Sequence, residues 1–316
     1  MTVSTALTET PDPNSMERSL TIAVIGDVHD QWDDQDEQAL QHLGVDLVLL
    51  VGDFGNESVD VVRSVAAMSL PKAVVLGNHD AWYSATHWGR DKCPYDRTAE
   101  DWVQDQLDAL GVAHVGYGKL DLPELGLSVV GGRPFSWGGS DWRNKTFYRE
   151  RYGLENFADS VNVIMDNVQQ TTQDTVIFIG HCGPTGLGDR PEDPCGRDWE
   201  PRGGDFGDPD LTEAIAQTKA LGKSVPLVTF GHMHHRLRHR KDCLRKRLVA
   251  DDQTVYLNAA DVPRIVPTEF GVKRNCSLVT LTGGQVTQAA IAWVDHQFQL
   301  CDEEILYQAP AAIAES

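Results

Sequence analysis

Five short apolar runs that each end in a glycine form the most regular pattern of the chain. They occupy residues 21–29, 46–54, 73–80, 175–181 and 227–235. Their valine, isoleucine and leucine content and their polar boundaries are typical of strands buried on both faces. Segments with helical patterning separate them, at 35–43, 56–69, 97–110, 155–170 and 209–221. This alternation predicts an α/β fold built from parallel βαβ units.

The rest of the chain has a pattern that indicates antiparallel strands and one long loop. Two short β-like stretches lie within 112–132, and two more lie within 247–258. Residues 276–293 are predicted to form a hairpin that turns at Gly283 and Gly284. The stretch 182–209 is rich in glycine, proline and aspartate, which predicts a loop of a length that is usually functional or mobile.

The composition is that of an acidic globular protein. Lys and Arg total 27 against 47 Asp and Glu, for a formal net charge of −20 over 316 residues. Such a surface disfavours broad binding to nucleic acid or anionic lipid, which requires clustered positive charge. We therefore expect a small substrate, with neither nucleic acid nor a membrane as a partner. The pattern gives no prediction of the oligomeric state.

The expected cellular location and domain limits rest on the sequence signals for membrane helices, secretion and disulfides. No apolar run approaches the ~20 residues of a membrane helix, and the first twenty residues do not resemble a secretory signal. The six cysteines include no CxxC pair, which favours a reducing compartment. We expect a cytoplasmic protein with one domain over residues 19–295. We also expect a disordered N-terminal tail, 1–18, before this domain and a C-terminal extension, 296–316, after it.

Potential metal ligands come directly after the five glycines. They are Asp27, His29, Asp53, Asn78, His79, His181, His232 and His234. Because ligands of such sheets lie beyond the carboxyl ends of the strands, these side chains can converge on one site. Mixed imidazole and carboxylate ligands favour zinc or another transition metal over calcium or magnesium. The ligands are too many for one tetrahedral ion, which favours two ions that share a carboxylate.

The ordered series DxH, GD, GNHD, GH and GHxH resembles the calcineurin-like metallophosphoesterase superfamily. The resemblance covers about residues 20–260, including Asn258–Ala260. It implies a four-layer αββα sandwich of two mixed β-sheets flanked by helices. It also implies a ligand set for each of two metal ions: Asp27, His29 and His234 for one, Asn78, His181 and His232 for the other, with Asp53 bridging. His79 matches the catalytic histidine near the leaving-group oxygen, and Asp80 the residue that orients or polarises it.

Differences from the motifs of individual subfamilies narrow the part of the superfamily that the chain resembles. Asp53 is followed by Phe54-Gly55-Asn56-Glu57, without the arginine that protein Ser/Thr phosphatases carry after their GD motif. Purple acid phosphatases have a tyrosine where this chain has Asn56. The chain thus resembles the broad bacterial group of phosphodiesterases and phosphomonoesterases, and residues 87–90 and 132–135 are similar to a cyanobacterial and plastid branch.

We hypothesise hydrolysis of small phosphate esters by in-line attack of a hydroxide that bridges two transition-metal ions. Manganese, iron and zinc are the candidate metals. Two alternatives remain open, a nuclease of the same superfamily and a non-catalytic metal-binding scaffold for interactions. The presence of His79 favours an enzyme over the scaffold.

Two further segments are candidates for substrate contact. Residues 133–152 interleave arginines and a lysine with tryptophans and tyrosines, and residues 236–247 are strongly basic. Cations beside aromatic rings can hold a phosphate and stack a base. The favoured alternatives are packing of the aromatic residues of 133–152 against the core and an exposed charged hairpin at 236–247.

Overall fold

The structure is a computed structural model that describes residues 19–310, so the predicted tail 1–18 lies outside the described residues. The strands are β1 Ser19–Ile25, β2 Leu47–Leu50, β3 Lys72–Val74, β4 Lys119–Leu122, β5 Leu127–Gly131, β6 Val176–Ile179, β7 Leu227–Phe230, β8 Leu248–Ala250, β9 Val255–Asn258, β10 Ile265–Thr268, β11 Gly271–Thr282, β12 Gln285–Val294 and β13 Leu300–Gln308. The helices are α1 Asp34–His42, α2 Val59–Ala67, α3 Trp82–Ala85, α4 His87–Arg90, α5 Trp102–Leu110, α6 Lys145–Tyr152, α7 Phe157–Gln169 and α8 Pro209–Ala220. Among residues 19–310, none of the helices combines the length and apolarity that crossing a bilayer demands.

The strands form two mixed sheets. The first has the order β13-β12-β11-β1-β2-β3, with β10 paired to β11, and the second has the order β4-β5-β6-β7-β9-β8. The neighbours β1, β2 and β3 are parallel, as are β5, β6, β7 and β9. The outer strands of both sheets pair in antiparallel fashion. This confirms the predicted α/β class with two mixed sheets.

Alternation along the strands places apolar side chains on both faces of each sheet. In β1, Ile22 and Val24 join a buried cluster to which both sheets contribute. The intervening Ala23 and Ile25 join a second cluster that contains residues of α1, α2, α5 and α6. A third cluster packs α7 and α8 against the second sheet. The result is the predicted order of layers: helices, sheet, sheet, helices.

Five elements of the structure lie outside the pattern-based predictions. They are the helices α3, α4 and α6 and the strands β10 and β13. The strand β13 lies within the predicted C-terminal extension, pairs with β12 and forms an edge of the first sheet. Most of its side chains are exposed, so its sequence lacks the apolar alternation by which a half-buried strand is recognised. The predicted hairpin is confirmed as β11 and β12, and no helix or strand interrupts described residues 182–208.

Arg133, a candidate for substrate contact, is a core residue instead. It is 2% exposed, and its guanidinium donates to Asp208 at 2.5 Å and to Asp210 at 3.0 Å. Its Cζ lies 5.0 Å from the ring centroid of Trp142 and 5.2 Å from that of Phe157. Burial raises the pKa of Asp208 to about 6, although the charge of Arg133 acts in the opposite direction. The packing alternative therefore holds for this part of residues 133–152.

Replacing Arg133 by methionine is expected to lower the free energy of unfolding by about 3–5 kcal/mol at neutral pH, because two buried carboxylates lose their cation. Without Arg133 the carboxyl group of Asp208 loses the charge that acts to lower its pKa, so this group becomes protonated in mildly acidic solution and the deficit shrinks. We expect urea denaturation to show a larger loss of stability at pH 8 than at pH 5.

The matched control is Arg149→Met in the same segment. Arg149 is exposed and its only ion pair among residues 19–310, with Glu155, spans 3.9 Å, so the loss should stay below about 1 kcal/mol. Equal losses in the two variants, or a deficit for Arg133→Met that does not change with pH, would contradict the buried ion triad.

Candidate metal centre

The polar residues that follow the strands converge where the two sheets meet. Asp27 follows β1 and Asp53 follows β2, whereas His181 follows β6 in the second sheet. Backbone hydrogen bonds join the first two loops, from the Asp27 N–H to the Gly52 carbonyl at 3.1 Å and from the His29 N–H to the Asp53 carbonyl at 2.8 Å. Side chains more than two hundred residues apart in sequence thereby come into contact.

The first ligand group comprises Asp27, His29 and His234. The Nε2 atoms of the two histidines lie 3.1 Å apart. The His234 Nε2 lies 2.9 Å from Asp27 Oδ2, while Asp27 Oδ1 accepts a hydrogen bond from the His232 N–H at 2.8 Å. One carboxylate oxygen of Asp27 therefore holds the backbone of the other loop, and the second points at the histidine pair.

The second ligand group comprises Asp53, His181 and His232. The Nε2 of His181 lies 3.3 Å from Asp53 Oδ1 and 3.2 Å from His232 Nδ1. Asn78 adds its side-chain oxygen at 2.9 Å from the same nitrogen. The other ring nitrogen of His181, Nδ1, donates to the Val51 carbonyl at 2.8 Å. The Nε2 atom of His181 therefore faces the other three ligands, and it offers them a lone pair when the imidazole is neutral and a proton when the imidazole is charged.

The donor chemistry of both groups fits metal ions. Asp27 Oδ2 is buried without a hydrogen-bond partner, although the nitrogen of His234 is only 2.9 Å away. In the second group, His181 Nε2 lies less than 3.4 Å from oxygens of Asn78 and Asp53. Acceptors that face one another away from water require a proton or a metal cation between them. Two clusters of imidazole and carboxylate donors suit transition-metal ions or zinc.

The pKa values of the ligands also indicate that positive charge is required beside the buried carboxylates. Burial alone would lower the pKa of His181, but the carboxylates of Asp53 and Asp27 and the hydrogen bond to Val51 together outweigh burial and raise this pKa to about 10. Burial and the neighbouring charge of His181 lower the pKa of His232 to about 3. Burial acts to raise the pKa of Asp53, and the surrounding histidines lower it overall. The cluster keeps its carboxylates charged and holds positive charge beside them.

Unusual backbone conformations present the ligands. Asp27, His29, Asp53 and His232 have φ of 50°, 44°, 55° and 66°, the left-handed region that costs non-glycine residues free energy. Close approach also requires glycine at position 77, where an added Cβ would lie 2.3 Å from Asp53 Oδ1. These strained residues lie at the ends of well-packed strands, which indicates that the surrounding fold stabilises the strained conformations at this site.

His79 projects beside both ligand groups and is held by a residue that the motif analysis did not select. Its Nδ1 lies 2.6 Å from Asn56 Oδ1, and since that oxygen only accepts, His79 Nδ1–H is the donor. The ring stacks on Trp82 at 4.5 Å between centroids and meets the His29 ring edge-on at 5.1 Å. Burial lowers the pKa of His79, although the Asp53 carboxylate acts to raise it. The position of Asn56, three residues after Asp53, was the available sequence signal.

Asp80 has contacts that differ from the expectation that it orients the His79 ring. Its Oδ2 accepts from the Gly77 N–H at 2.7 Å and the Asp53 N–H at 3.0 Å, and its Oδ1 accepts from the Phe54 N–H at 2.9 Å. Both oxygens are therefore used by backbone donors of the loops after β2 and β3. Because Asn56 occupies the ring nitrogen, Asp80 acts on the loop that carries Asp53.

The two segments considered for substrate contact reach the same side of the centre. Trp137 lies 6.5 Å from the ring centroid of His232, and Arg236 and Arg238 share a cleft with His232 and His234. The interpretation of 236–247 as an exposed hairpin fits Arg240, which pairs with Asp242 at the surface. It is wrong for Arg245, which is 2% exposed.

Comparison with known proteins gives one family and several structural likenesses. A family model described as calcineurin-like phosphoesterase matches residues 20–236. A dimetal phosphatase from Danio rerio is 12% identical over 92% of this chain and 99% of its own chain, with a TM-score of 0.46. Phosphopantetheinyl hydrolase from Mycobacterium tuberculosis is 15% identical over 78% of this chain and 90% of its own, with a TM-score of 0.45. Among the curated proteins compared, none matches the chain.

Proposed function

Because the chain belongs to the calcineurin-like phosphoesterase family and is thus a hydrolase of phosphoric esters, we propose that it cleaves small soluble phosphate mono- or diesters at a centre of two metal ions. The observation that carries the proposal is the meeting of two partly buried ligand groups, one around His234 Nε2 and one around His181 Nε2. Asp53 would contribute to both groups, and two contacts support this: it lies against His181 directly, and its loop pairs with the His29 backbone.

The ligand assignment follows the contacts in each group. Asp27, His29 and His234 would hold one ion, and Asn78, His181 and His232 the other, with Asp53 shared. When bound, divalent ions in such a site lower the pKa of a water toward neutrality and offset the negative charge of a phosphate. The chain contributes the fixed orientation of its imidazoles, of which His181 is anchored through Val51.

His79 supplies the proton that the leaving group needs. Its Nδ1–H is engaged by Asn56, which leaves Nε2 as the ring nitrogen that carries the transferable proton in the imidazolium form. As the oxygen of a hydroxide bonds to phosphorus and the ester P–O bond breaks, the His79 proton passes to the departing oxygen, which leaves as an alcohol, while the hydroxide proton stays on the phosphate product. A positioned general acid of this kind contributes about 10²–10⁴ in rate.

Removal of metal is the direct test of the proposal. We expect protein treated with a chelator and then dialysed to hydrolyse bis-p-nitrophenyl phosphate no faster than buffer. Addition of manganese, iron or zinc should restore turnover in at least one case, and elemental analysis of the active protein should approach two ions per chain. Full turnover by the metal-free protein, or saturation at one ion, would overturn the dinuclear assignment.

A further inference from the structure

A cleft beside the metal ligands brings together the two basic and aromatic segments. It has a volume of about 310 Å³ and is bordered by His232 and His234. Residues 133–152 contribute Trp137 and Arg143, residues 236–247 contribute Arg236 and Arg238, and the long loop between β6 and α8 contributes Trp199. Segments far apart in sequence therefore supply cations and indole rings to one concave surface of ligand-binding size.

Three arginines, Arg143, Arg236 and Arg238, lie at the rim of this cleft. No Asp or Glu side chain of residues 19–310 lies within 4.0 Å of the guanidinium of Arg143, Arg236 or Arg238. The neighbouring Arg240 and Arg247, by contrast, pair with Asp242 and Glu304. In a chain with a net charge of −20, unpaired cations gathered at one cleft form a local positive region that attracts anions.

A buried arginine fixes the floor of the cleft. Arg245 donates from Nη1 to the carbonyls of Pro191, Asp193 and Gly196 at 2.8, 2.9 and 2.6 Å, and from Nε to the His234 carbonyl at 3.0 Å. It thereby ties the metal-ligand segment to the long loop.

Among the residues that the structure describes, Asp198 is the one carboxylate that lines the cleft. It accepts from the Arg238 N–H at 2.8 Å, and its charge faces Arg245 at 3.5 Å. Since Asp198 is only 5% exposed and already faces a cation, the three rim arginines keep their charge available to a ligand.

The aromatic residues of the cleft are held in place by other rings. Trp137 stacks against Trp82 at 5.7 Å between centroids, and Trp82 in turn stacks on His79. Trp199 packs edge-on against Phe206 at 5.1 Å and lies 5.5 Å from the Arg238 guanidinium. Rigid indole faces next to cations suit a planar ring that is attached to phosphate.

We propose that this cleft binds a second phosphate group and the planar base of a nucleotide, so that the preferred substrates are nucleotide esters with a phosphate beyond the one that is cleaved. Guanidinium groups bind phosphate oxygens in bidentate fashion, and the cleft borders two ligands of the metal centre. The inference rests on the proposed function, because it places the cleaved phosphate at that centre. It disfavours cyclic mononucleotides, which carry a single phosphate.

Two chromogenic substrates with the same leaving group test the proposal. Thymidine 5′-(p-nitrophenyl phosphate) is compared with the same ester that carries a 3′-phosphate, with bis-p-nitrophenyl phosphate as the basal substrate. In the native protein we expect kcat/KM to be at least about tenfold higher for the 3′-phosphorylated ester, the factor that corresponds to one charge-assisted hydrogen bond. The double variant Arg236→Ala/Arg238→Ala should lose this preference and keep its activity on bis-p-nitrophenyl phosphate.

The matched control is Arg240→Ala/Lys241→Ala, which removes the same charge from the same segment but outside the cleft. It should retain the full preference. Trp199→Leu should lower kcat/KM by the same factor for both thymidine esters and leave kcat/KM for the basal substrate unchanged, because it removes stacking and not charge. Equal kcat/KM for the two thymidine esters in the native protein, or an equal loss of preference in both double variants, would overturn the subsite.

A binding measurement separates failure of the subsite from failure of the proposed function. Thymidine 3′,5′-bisphosphate should bind metal-loaded native protein in calorimetry, with Kd raised at least about tenfold by Arg236→Ala/Arg238→Ala and unchanged in the control. Unaltered binding in the arginine variant refutes the subsite. Failure of every ester to be hydrolysed, with arginine-dependent binding intact, refutes the proposed hydrolysis and leaves the subsite standing.

Discussion

Asp53→Ala is expected to lose both metal binding and phosphoesterase activity. The carboxylate is 2% exposed, lies 3.3 Å from His181 Nε2 and accepts from the His79 N–H at 2.8 Å. Its removal takes away the negative charge that holds the buried histidines together. Loss of residues that merely support a ligand costs about 10–100-fold in metal affinity or activity, so loss of a ligand shared by two ions should cost more than about 100-fold.

The measurement combines ion content by elemental analysis with turnover of bis-p-nitrophenyl phosphate in the presence of excess manganese. Asp53→Asn separates charge from shape, because the amide oxygen can still accept from the His79 N–H while the charge is gone. We expect it to fail almost as completely. Asp121→Ala, which removes an aspartate paired with Lys119 far along the second sheet, should bind metal and turn over normally. Metal-dependent turnover by Asp53→Ala near the native rate would refute the assignment.

The convergence of the candidate ligands could be predicted because it follows from the order of strands and polar residues. A buried parallel strand is recognisable as a short apolar run, and the polar residue after its terminal glycine must lie at the edge where ligands bind. Asp27, Asp53 and His181 all occupy such positions. The spacing of two residues between His232 and His234 also predicted that their side chains point to the same side of an extended segment.

The contacts that support the ligands could not be predicted in this way. Arg133 resembles a phosphate ligand in sequence, and only the fold brings it to Asp208 and Asp210, more than seventy residues away. Asp80 was assigned to its neighbour His79, whereas three backbone N–H groups from two loops compete for its oxygens. Which acceptor meets which donor across loops depends on tertiary geometry that local patterning does not encode.

The edge strand of the first sheet could not be predicted from the pattern of apolar and polar residues either. The predicted segments at the centre of each sheet appear as strands because both of their faces are buried. The strand β13 carries exposed acidic residues, among them Glu304, which pairs with Arg247. An exposed edge strand with charged side chains avoids further pairing, and the same charges remove the apolar signal.

His79→Ala is expected to lower turnover by about 10²–10⁴-fold on substrates with poor leaving groups while metal content stays native. The ring makes its hydrogen bond with Asn56 and its stacking contact with Trp82, so its loss leaves both ligand groups in place. Diphenyl phosphate and bis-p-nitrophenyl phosphate test whether His79 protonates the leaving group. Phenolate is a poorer leaving group than p-nitrophenolate, so its departure depends more on protonation. We expect a large loss on the first substrate and a small loss on the second.

Asn56→Ala supplies the companion measurement. It keeps the His79 ring but frees Nδ1, so we expect the same leaving-group dependence with a smaller loss, because the acid remains and only its orientation relaxes. Glu124→Ala, at a surface position between β4 and β5, serves as the control and should match the native protein on both substrates. Equal losses on diphenyl phosphate and bis-p-nitrophenyl phosphate in His79→Ala would mean that His79 binds the phosphate group and does not protonate the departing oxygen.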